Sequence, residues 1–152
     1  MECSLCNPQL GPIIAEGTHW RLVLNHNQNL LGKCFLATRR HIEEVRSIRP
    51  EEWSELHAWL ADTSNALILA FQPDHFNYAF LQNQDRHVHM HIIPRYAGSR
   101  TFEDTTFTDP AYPDHYPVDA PPQRLQPGTE SLLADHLRHL IHQVQANTDG
   151  LA

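Results

Sequence analysis

Three histidines occupy alternate positions in the stretch HVHMHIIPR, which spans residues 87–95. Successive side chains of a β-strand point to opposite faces, so His87, His89 and His91 would share one face and the apolar residues between them the other. A strand face that only contacts solvent is not expected to carry the same titratable residue three times. Imidazole is the side chain that titrates near neutral pH, which suits it to proton transfer and metal binding. The pattern therefore predicts chemistry on one face of this strand and core packing on the other.

Two kinds of chemistry suit this spacing. A His-x-His pair supplies two ligands to a metal ion, and a third ligand plus water would complete a catalytic metal centre. Alternatively, one neutral imidazole attacks an electrophilic centre such as phosphorus, while its neighbours hold substrate oxygens and move a proton. In the second case the middle residue, His89, is the better nucleophile because it has a helper on each side.

The elements that must position these histidines are short apolar strands and two helices. Antiparallel strands are predicted at WRLVL (20–24) and KCFLAT (33–38), and a second pair at FNYAFL (76–81) and VHMHII (88–93). A helix is predicted from Pro50 to just before Pro73, and a last one over residues 129–146 that begins at Thr129 and Glu130. The order of these elements predicts an α+β fold in which helices back a small antiparallel sheet.

The segment 98–128 differs in composition from the rest of the chain. Six of the eleven prolines fall in it, among Asp, Thr and Tyr residues, with no sustained period. We expect a long irregular excursion before the C-terminal helix. Tyr112 and Tyr116 in this segment could stack on a base, and packing of the segment against the sheet is the alternative role.

Length and charge narrow the function classes. The chain has 152 residues, which suits one domain over 1–152, and a formal net charge of -7. This charge disfavours a broad electrostatic grip on nucleic acid or on an anionic membrane, so an anionic ligand must be held locally. The first residues lack a basic and apolar leader pattern, and no apolar run is long enough to cross a bilayer. We therefore expect a soluble cytoplasmic protein with no nucleic-acid or membrane partner.

The cysteines suggest a second site. Cys3 and Cys6 have the C-x-x-C spacing that supplies half of a tetrahedral zinc site. Two free thiols or a redox pair are the alternative reading of the same spacing. Cys34 lies in an apolar strand, where a small buried side chain is expected.

The motif and its surroundings resemble the histidine triad (HIT) family. HVHMHII fits the pattern of three histidines separated by apolar residues, and the Pro-Arg that follows continues it as in many members. Further matches are Asn25 to Asn27, Gly32, the segment Thr38 to His41, and the RPEEW helix start, so the resemblance covers about residues 3–96. Most similar are bacterial members described as diadenosine tetraphosphate hydrolase-like. The resemblance implies an antiparallel sheet of about five strands, two main helices and a homodimer.

The resemblance also implies roles for the triad. His89 would attack the α-phosphorus of a purine nucleotide conjugate, such as a dinucleoside polyphosphate or a phosphoramidate, and form a nucleotidyl-histidine. His91 would hydrogen-bond the phosphoryl oxygens or the leaving group, and His87 completes the catalytic set. Water or inorganic phosphate could then accept the nucleotidyl group, which leaves a hydrolase and a phosphorylase both open. A HIT module that binds a nucleotide without cleaving it is a further alternative.

Binding residues follow from the same comparison. Asn25 and Asn27 align with the segment that contacts the nucleoside, although the family often has Asp at the first position, and Asn83 matches an asparagine of the loop before the triad. The Gly-x-x-x-x-Gln-Ser/Thr stretch usual in that loop is absent here. Arg95 is placed to neutralise phosphate, or alternatively to form a surface ion pair.

In the zinc-bearing members, a cysteine pair such as Cys3 and Cys6 is completed by two histidines, which correspond to His41 and His87. The resemblance thus implies a structural zinc with these four ligands, and a mechanism that needs no catalytic cofactor.

Overall fold

The computed structural model describes residues 3–7 and 11–150, and this part of the chain contains seven strands and two α-helices. The predicted domain limits at residues 1 and 152 lie outside the described residues. The strands are β1 (Ile13–Glu16), β2 (Trp20–Leu24), β3 (Cys34–Thr38), β4 (His75–Ala79), β5 (His89–Arg95), β6 (Arg100–Phe102) and β7 (Thr105–Phe107). The helices are α1 (Pro50–Phe71) and α2 (Pro127–Asp149), with 3₁₀ turns at Ser4–Cys6 and Val45–Ser47.

Five of the strands form one antiparallel sheet in the order β1-β2-β3-β5-β4. The strand that carries the histidines, β5, is therefore interior, with β3 on one side and β4 on the other. Strands β6 and β7 form a separate hairpin. The predicted α+β fold, with an antiparallel five-stranded sheet and two main helices, is confirmed.

The alternation of side chains gives the sheet two different faces. Leu22, Leu36, Met90 and Ile92 point to the face covered by α1 and α2, and all four belong to the main hydrophobic core. Within residues 3–7 and 11–150, neither α-helix contributes to the apolar cluster on the opposite, open face, which carries Phe35 with smaller apolar neighbours and Leu5 from the N-terminal 3₁₀ turn. The open face is the one to which the alternate positions His89 and His91 belong.

Local sequence signals set the helix ends. Pro50 starts α1, and the Glu52 carboxylate accepts a hydrogen bond of 2.8 Å from the Arg49 backbone N–H, which closes the first turn. Helix α2 begins at Pro127, two residues before the predicted start, because proline lacks an N–H and fits the first helical position. No helix in the described part of the chain has an apolar stretch long enough to cross a membrane.

Two features of the sheet regions differ from the sequence-based expectation. Strand β1 was not predicted, and the segment 98–128 is not wholly irregular because it begins with the β6–β7 hairpin. Strands of three or four residues are too short to show an alternating pattern in sequence. The remainder of the segment, residues 108–126, has no helix or strand and runs back to the open face of the sheet.

Candidate functional site

A cavity of about 460 Å³ lies on the open face of the sheet. Its floor is formed by β3 and β5, and its walls by residues 25–33, 81–85 and 116–120 together with Leu5. Phe35 contributes an aromatic surface at the floor, with its ring centroid 5.9 Å from that of His89 and 6.2 Å from that of His91. The cavity thus places two imidazoles beside an apolar floor.

His89 is held in one tautomer by the backbone. Its Nδ1 lies 2.7 Å from the carbonyl oxygen of His87, and a carbonyl only accepts, so Nδ1 carries the proton. The lone pair of the neutral ring then lies on Nε2. His89 is 8% exposed and lines the cavity, so this arrangement presents an oriented, unprotonated nitrogen to a ligand there.

His91 is the second imidazole of the cavity. It stands opposite Phe35 in the β3–β5 register, and its ring centroid is 4.9 Å from that of His89. Burial, with a smaller contribution from the positive charge of Lys33, lowers the pKa of His91 to about 4. At neutral pH this ring is uncharged, so it can donate and accept hydrogen bonds but supplies no fixed positive charge.

His87 does not line the cavity, and this corrects the expectation that all three histidines share one working face. Strand β5 begins only at His89, and the His87 ring points to a separate cluster near the N-terminus. Its Nε2 donates to the carbonyl oxygen of Thr38 at 2.6 Å, so its Nδ1 is left as an acceptor. That Nδ1 lies 3.4 Å from Cys3 Sγ and 3.5 Å from Cys6 Sγ.

The cluster comprises Cys3, Cys6, His41 and His87, whose donor atoms all lie within 4.8 Å of one another. Zinc binds sulfur at about 2.3 Å and imidazole nitrogen at about 2.0 Å, so a sulfur and a nitrogen ligand of one tetrahedral ion lie about 3.5 Å apart. The sulfur–nitrogen distances at His87, and the 3.4 Å between Cys6 Sγ and His41 Nδ1, match this spacing. The residues present therefore fit a closed Cys2His2 zinc site.

The metal cluster is distinct from the cavity imidazoles. Among the described residues it is the one group of Cys, His, Asp and Glu side chains with metal-binding spacing, and it contains neither His89 nor His91. The outer nitrogens of both histidine ligands have partners, Thr38 for His87 and, at 3.5 Å, the Glu43 carboxylate for His41. This arrangement favours a structural role for the metal.

Residues 12–98 match the family model described as the HIT domain, which is more than half of the chain. The chain belongs to the HIT family. Its α+β sheet and the HVHMHII stretch are thus those of a HIT protein, and the predicted family is confirmed. The diadenosine tetraphosphate hydrolase-like branch stays a prediction.

Solved HIT structures share the fold. A histidine triad protein from Marinobacter aquaeolei is 22% identical, with a TM-score of 0.73, and 89% of this chain and 91% of that chain are covered. A hypothetical histidine triad nucleotide-binding protein from Sulfolobus tokodaii is 18% identical, with a TM-score of 0.71 and 94% of each chain covered. A zinc-bound family protein from Mycobacterium smegmatis is also 18% identical, with a TM-score of 0.67, and 97% of this chain and 98% of that chain are covered. A comparison with curated protein sequences found no match.

The asparagines expected to bind the nucleotide, Asn25, Asn27 and Asn83, all line the cavity of this HIT protein. Asn25 Oδ1 accepts a hydrogen bond from the Asn27 backbone N–H at 2.9 Å. Asn27 Oδ1 accepts two, from Asn29 N at 3.1 Å and from Gln123 N at 3.0 Å. Asn27 therefore shapes the loop and ties it to the segment 108–126, and among the described residues the side-chain N–H donors of both Asn25 and Asn27 have no hydrogen-bond partner.

Arg95 lies in the protein interior, and not at a phosphate site or on the surface as the sequence analysis expected. Its guanidinium is buried and bonds Asp109 through Nε at 2.7 Å and Nη2 at 3.2 Å, and Asn77 through Nη1 at 2.9 Å. It does not line the cavity, so neither phosphate binding nor a surface ion pair describes it. A buried charge needs such a partner, and Asp109 lies in the segment whose path the sequence left open.

Two contributors to the cavity have weak sequence signals: Lys33 was not predicted to lie there, and Tyr112 and Tyr116 were the only residues of the segment 108–126 considered for a role at the site. Lys33 lines it, and the signal was its position two residues before Phe35, on the strand face that the histidines use. Residues 116–118 and Ala120 form part of one wall, with Tyr116 among them and Tyr112 outside. The wall is held in place by the 2.8 Å bond from Gln28 N to Gln123 O, a long-range contact that no local pattern predicts.

Proposed function

We propose that the protein cleaves nucleotide conjugates at the α-phosphorus through a covalent nucleotidyl-histidine on His89, as a hydrolase or nucleotidyltransferase. The observation that carries this proposal is the 2.7 Å hydrogen bond between His89 Nδ1 and the His87 carbonyl oxygen. It directs the free lone pair of a neutral cavity imidazole to Nε2, which is what a nitrogen nucleophile requires. Dinucleoside polyphosphates and nucleoside phosphoramidates both offer a suitable phosphorus.

The reaction has two displacements. In the first, the His89 Nε2 lone pair forms an N–P bond, and the bond from phosphorus to the leaving group breaks with its electron pair going to that group. In the second, a water oxygen attacks phosphorus and the N–P electron pair returns to Nε2. Overall, water gives its hydroxyl to phosphorus and one proton to the leaving group, while the proton on His89 Nδ1 stays there, hydrogen-bonded to the carbonyl oxygen of His87.

His91 would stabilise this reaction by hydrogen bonding. Its ring is 4.9 Å from that of His89, measured between centroids, and its lowered pKa of about 4 keeps it neutral. A neutral imidazole can donate one N–H to a phosphoryl oxygen that gains charge in the transition state. His87 contributes through its backbone oxygen, as a residue that positions His89.

The nucleoside would lie against the apolar floor. We propose that the Asn25 amide donates to the ribose hydroxyls and that Asn83 contacts the ligand from the facing loop, since both line the cavity. Asn27 acts by shaping the loop. A purine base would pack on Phe35 and Leu5, which line the cavity and belong to one apolar cluster.

We also propose that Cys3, Cys6, His41 and His87 hold a structural zinc. When bound, the ion would supply no chemistry to the substrate and would join the N-terminal turn to the sheet. The donor spacing described above supports this proposal, and so does the fixed tautomer of His87.

A homodimer is the proposed assembly, in keeping with the family resemblance. Strand β4 lies at the edge of the sheet and carries Tyr78, which is 47% exposed and whose hydroxyl is hydrogen-bonded to Ser64 of α1. Helix α1 itself exposes large apolar side chains, among them Trp53 at 42% and Ile68 at 45%. Light scattering should give the mass of two chains. The variant Ile68→Glu should have the mass of a single chain. The control variant Leu132→Glu, on the exposed face of α2, should keep the mass of two chains.

Product analysis tests the proposed activity. Purified protein is incubated with diadenosine tetraphosphate or adenosine phosphoramidate, with and without inorganic phosphate, and products are separated by chromatography. AMP without added phosphate supports a hydrolase, and ADP that forms only with phosphate supports a phosphorylase. His89→Ala should abolish product, whereas His142→Ala, an exposed position on α2, should retain it. Nucleotide binding without product from wild type would favour the non-cleaving module.

A further inference from the structure

The cavity contains a cation without a carboxylate partner. Lys33, the only lysine in the sequence, is the one Lys or Arg among the described residues that line the cavity. In the described part of the chain, no Asp or Glu oxygen lies within 4 Å of its ammonium group. Its contact is with a neutral group, because Nζ donates to Asn29 Oδ1 at 2.8 Å.

The strand register places residue Lys33 beyond His91 as seen from His89. Ala37 pairs with His89 and Phe35 with His91, so Lys33, two positions further along the same face, follows in that row. The positive charge of Lys33 contributes to the lowered pKa of His91, which agrees with this proximity. A displacement by His89 sends the leaving group away from His89, since the entering and departing groups lie on opposite sides of phosphorus.

We propose that Lys33 binds a phosphate group of the leaving group, so that the favoured substrates are nucleotides with a phosphate chain beyond the α-phosphorus. This inference rests on the proposed function, and it names the substrate class of that same site. Of the substrates considered, it selects dinucleoside polyphosphates and nucleoside polyphosphates over phosphoramidates and other conjugates with a neutral leaving group.

Charge supports this assignment. The protein carries a formal net charge of -7, and the lowered pKa of His91 leaves that ring uncharged at neutral pH, so it would not offset a polyphosphate. Burial removes water from the half-buried ammonium and lowers the pKa of Lys33 to about 8, and no carboxylate in the described part of the chain lies close enough to offset this. A phosphate oxygen would supply that counter-charge. Asp85, the acidic residue of the lining, lies in the 81–85 wall, where its carboxylate accepts from the Ser4 hydroxyl.

Kinetics of two variants test the assignment. Lys33→Met keeps the length of the side chain without its charge, and it should lower kcat/KM for diadenosine tetraphosphate about tenfold or more, the effect of losing a hydrogen bond to a charged group. The kcat/KM for adenosine phosphoramidate should stay within about twofold. Lys33→Arg should recover most of the lost preference. An equal loss with both substrates would place Lys33 at the α-phosphate or in a purely structural role and would overturn the inference.

A binding measurement separates this inference from the proposed activity. Because the chain has a single lysine, an amine-reactive reagent followed by peptide mapping reports on Lys33 alone, apart from the N-terminus. ATP should protect Lys33 at concentrations where AMP, which has no phosphate beyond the α-position, does not. If wild type cleaves neither substrate, the proposed activity is wrong. The difference in Lys33 protection between ATP and AMP then tests the phosphate-binding role of Lys33 on its own. Equal protection by both nucleotides, or protection by neither, contradicts the inference.

Discussion

His87 serves two sites through two different atoms. Its Nδ1 faces the sulfurs of Cys3 and Cys6. Its backbone oxygen accepts a hydrogen bond from the Nδ1–H of His89. The histidine that belongs to the metal cluster therefore also fixes the tautomer of the proposed nucleophile. His91 completes the set as a neutral hydrogen-bonding ring, and each of the three identical side chains has a different role because each has different neighbours.

The buried position of His91 predicts a pH effect on stability. Its pKa is about 4 in the folded chain against 6.5 for an ordinary histidine, so unfolding takes up a proton between these values. The free energy of unfolding should fall as pH decreases from about 6.5 to 4. Replacing His91 with Asn should reduce this slope, as measured by urea unfolding at several pH values. An unchanged slope in His91→Asn would show that the ring protonates freely in the folded protein.

At this scale the sequence predicted residue types better than residue roles. His89 and His91 were placed correctly because alternation along a strand is local. The prediction that His87 shares the cavity face was wrong, because its ring contacts Thr38 and Cys3, which are distant in sequence. Arg95 was assigned to phosphate and Lys33 was overlooked, because the sequence does not show that Asp109 lies against the arginine.

Among the elements, β3 and β5 carry the site because each puts apolar residues into the core and leaves its alternate positions on the open face. These strands, β2 and the start of α1 were predictable, since alternation and a proline at N1 are local signals. Strand β1 and the β6–β7 hairpin were not predictable, because these strands are too short to show an alternation of apolar and polar residues. The wall at residues 116–120 depends on long-range bonds to the loop at 25–33.

The first turn of α1 predicts a second pH effect. The buried Glu52 carboxylate accepts from Arg40 Nε at 2.6 Å and from Arg49 N at 2.8 Å, and chiefly the bond to Arg40 lowers its pKa to about 2. A lowered carboxyl pKa stabilises the fold above the unfolded value of 4.5, and this contribution is lost as pH falls towards 2. Glu52→Gln should lower the melting temperature at neutral pH by about 3–6 °C.

The neighbouring Glu51 provides the control for this measurement, because it is exposed on the same turn. Glu51→Gln should leave the melting temperature almost unchanged. The difference between wild type and Glu52→Gln should shrink below pH 4.5. A difference that is constant with pH would mean that Glu52 acts through packing and not through its charge.

For the whole molecule, the metal cluster joins the N-terminal turn to two distant parts of the chain, at His41 and His87. Leu5, which lies between the two cysteines, forms part of the cavity wall and packs on Phe35. The proposed zinc would thus link global stability to the shape of the cavity without taking part in the chemistry. The N-terminal C-x-x-C motif suggested this link, although the resemblance was needed to name the histidine partners.

Zinc removal should therefore lower the melting temperature and weaken substrate binding. We expect about one zinc per chain by metal analysis, and chelator should reduce the melting temperature of wild type. Cys6→Ser should bind less zinc and respond little to chelator, whereas Cys34→Ala, at a buried cysteine outside the cluster, should keep its zinc. If the chelated protein stayed folded with unchanged KM but lost all turnover, the metal would be catalytic and the structural assignment wrong.

The central claim is that His89 becomes covalently attached to the nucleotide. The most direct measurement is rapid mixing with diadenosine tetraphosphate, quenching in denaturant within milliseconds, and mass spectrometry of the intact chain and its peptides. We expect a transient mass increase equal to one adenylyl group, located on His89 and absent from His89→Ala. Turnover without any adduct, or an adduct on His91, would contradict this claim.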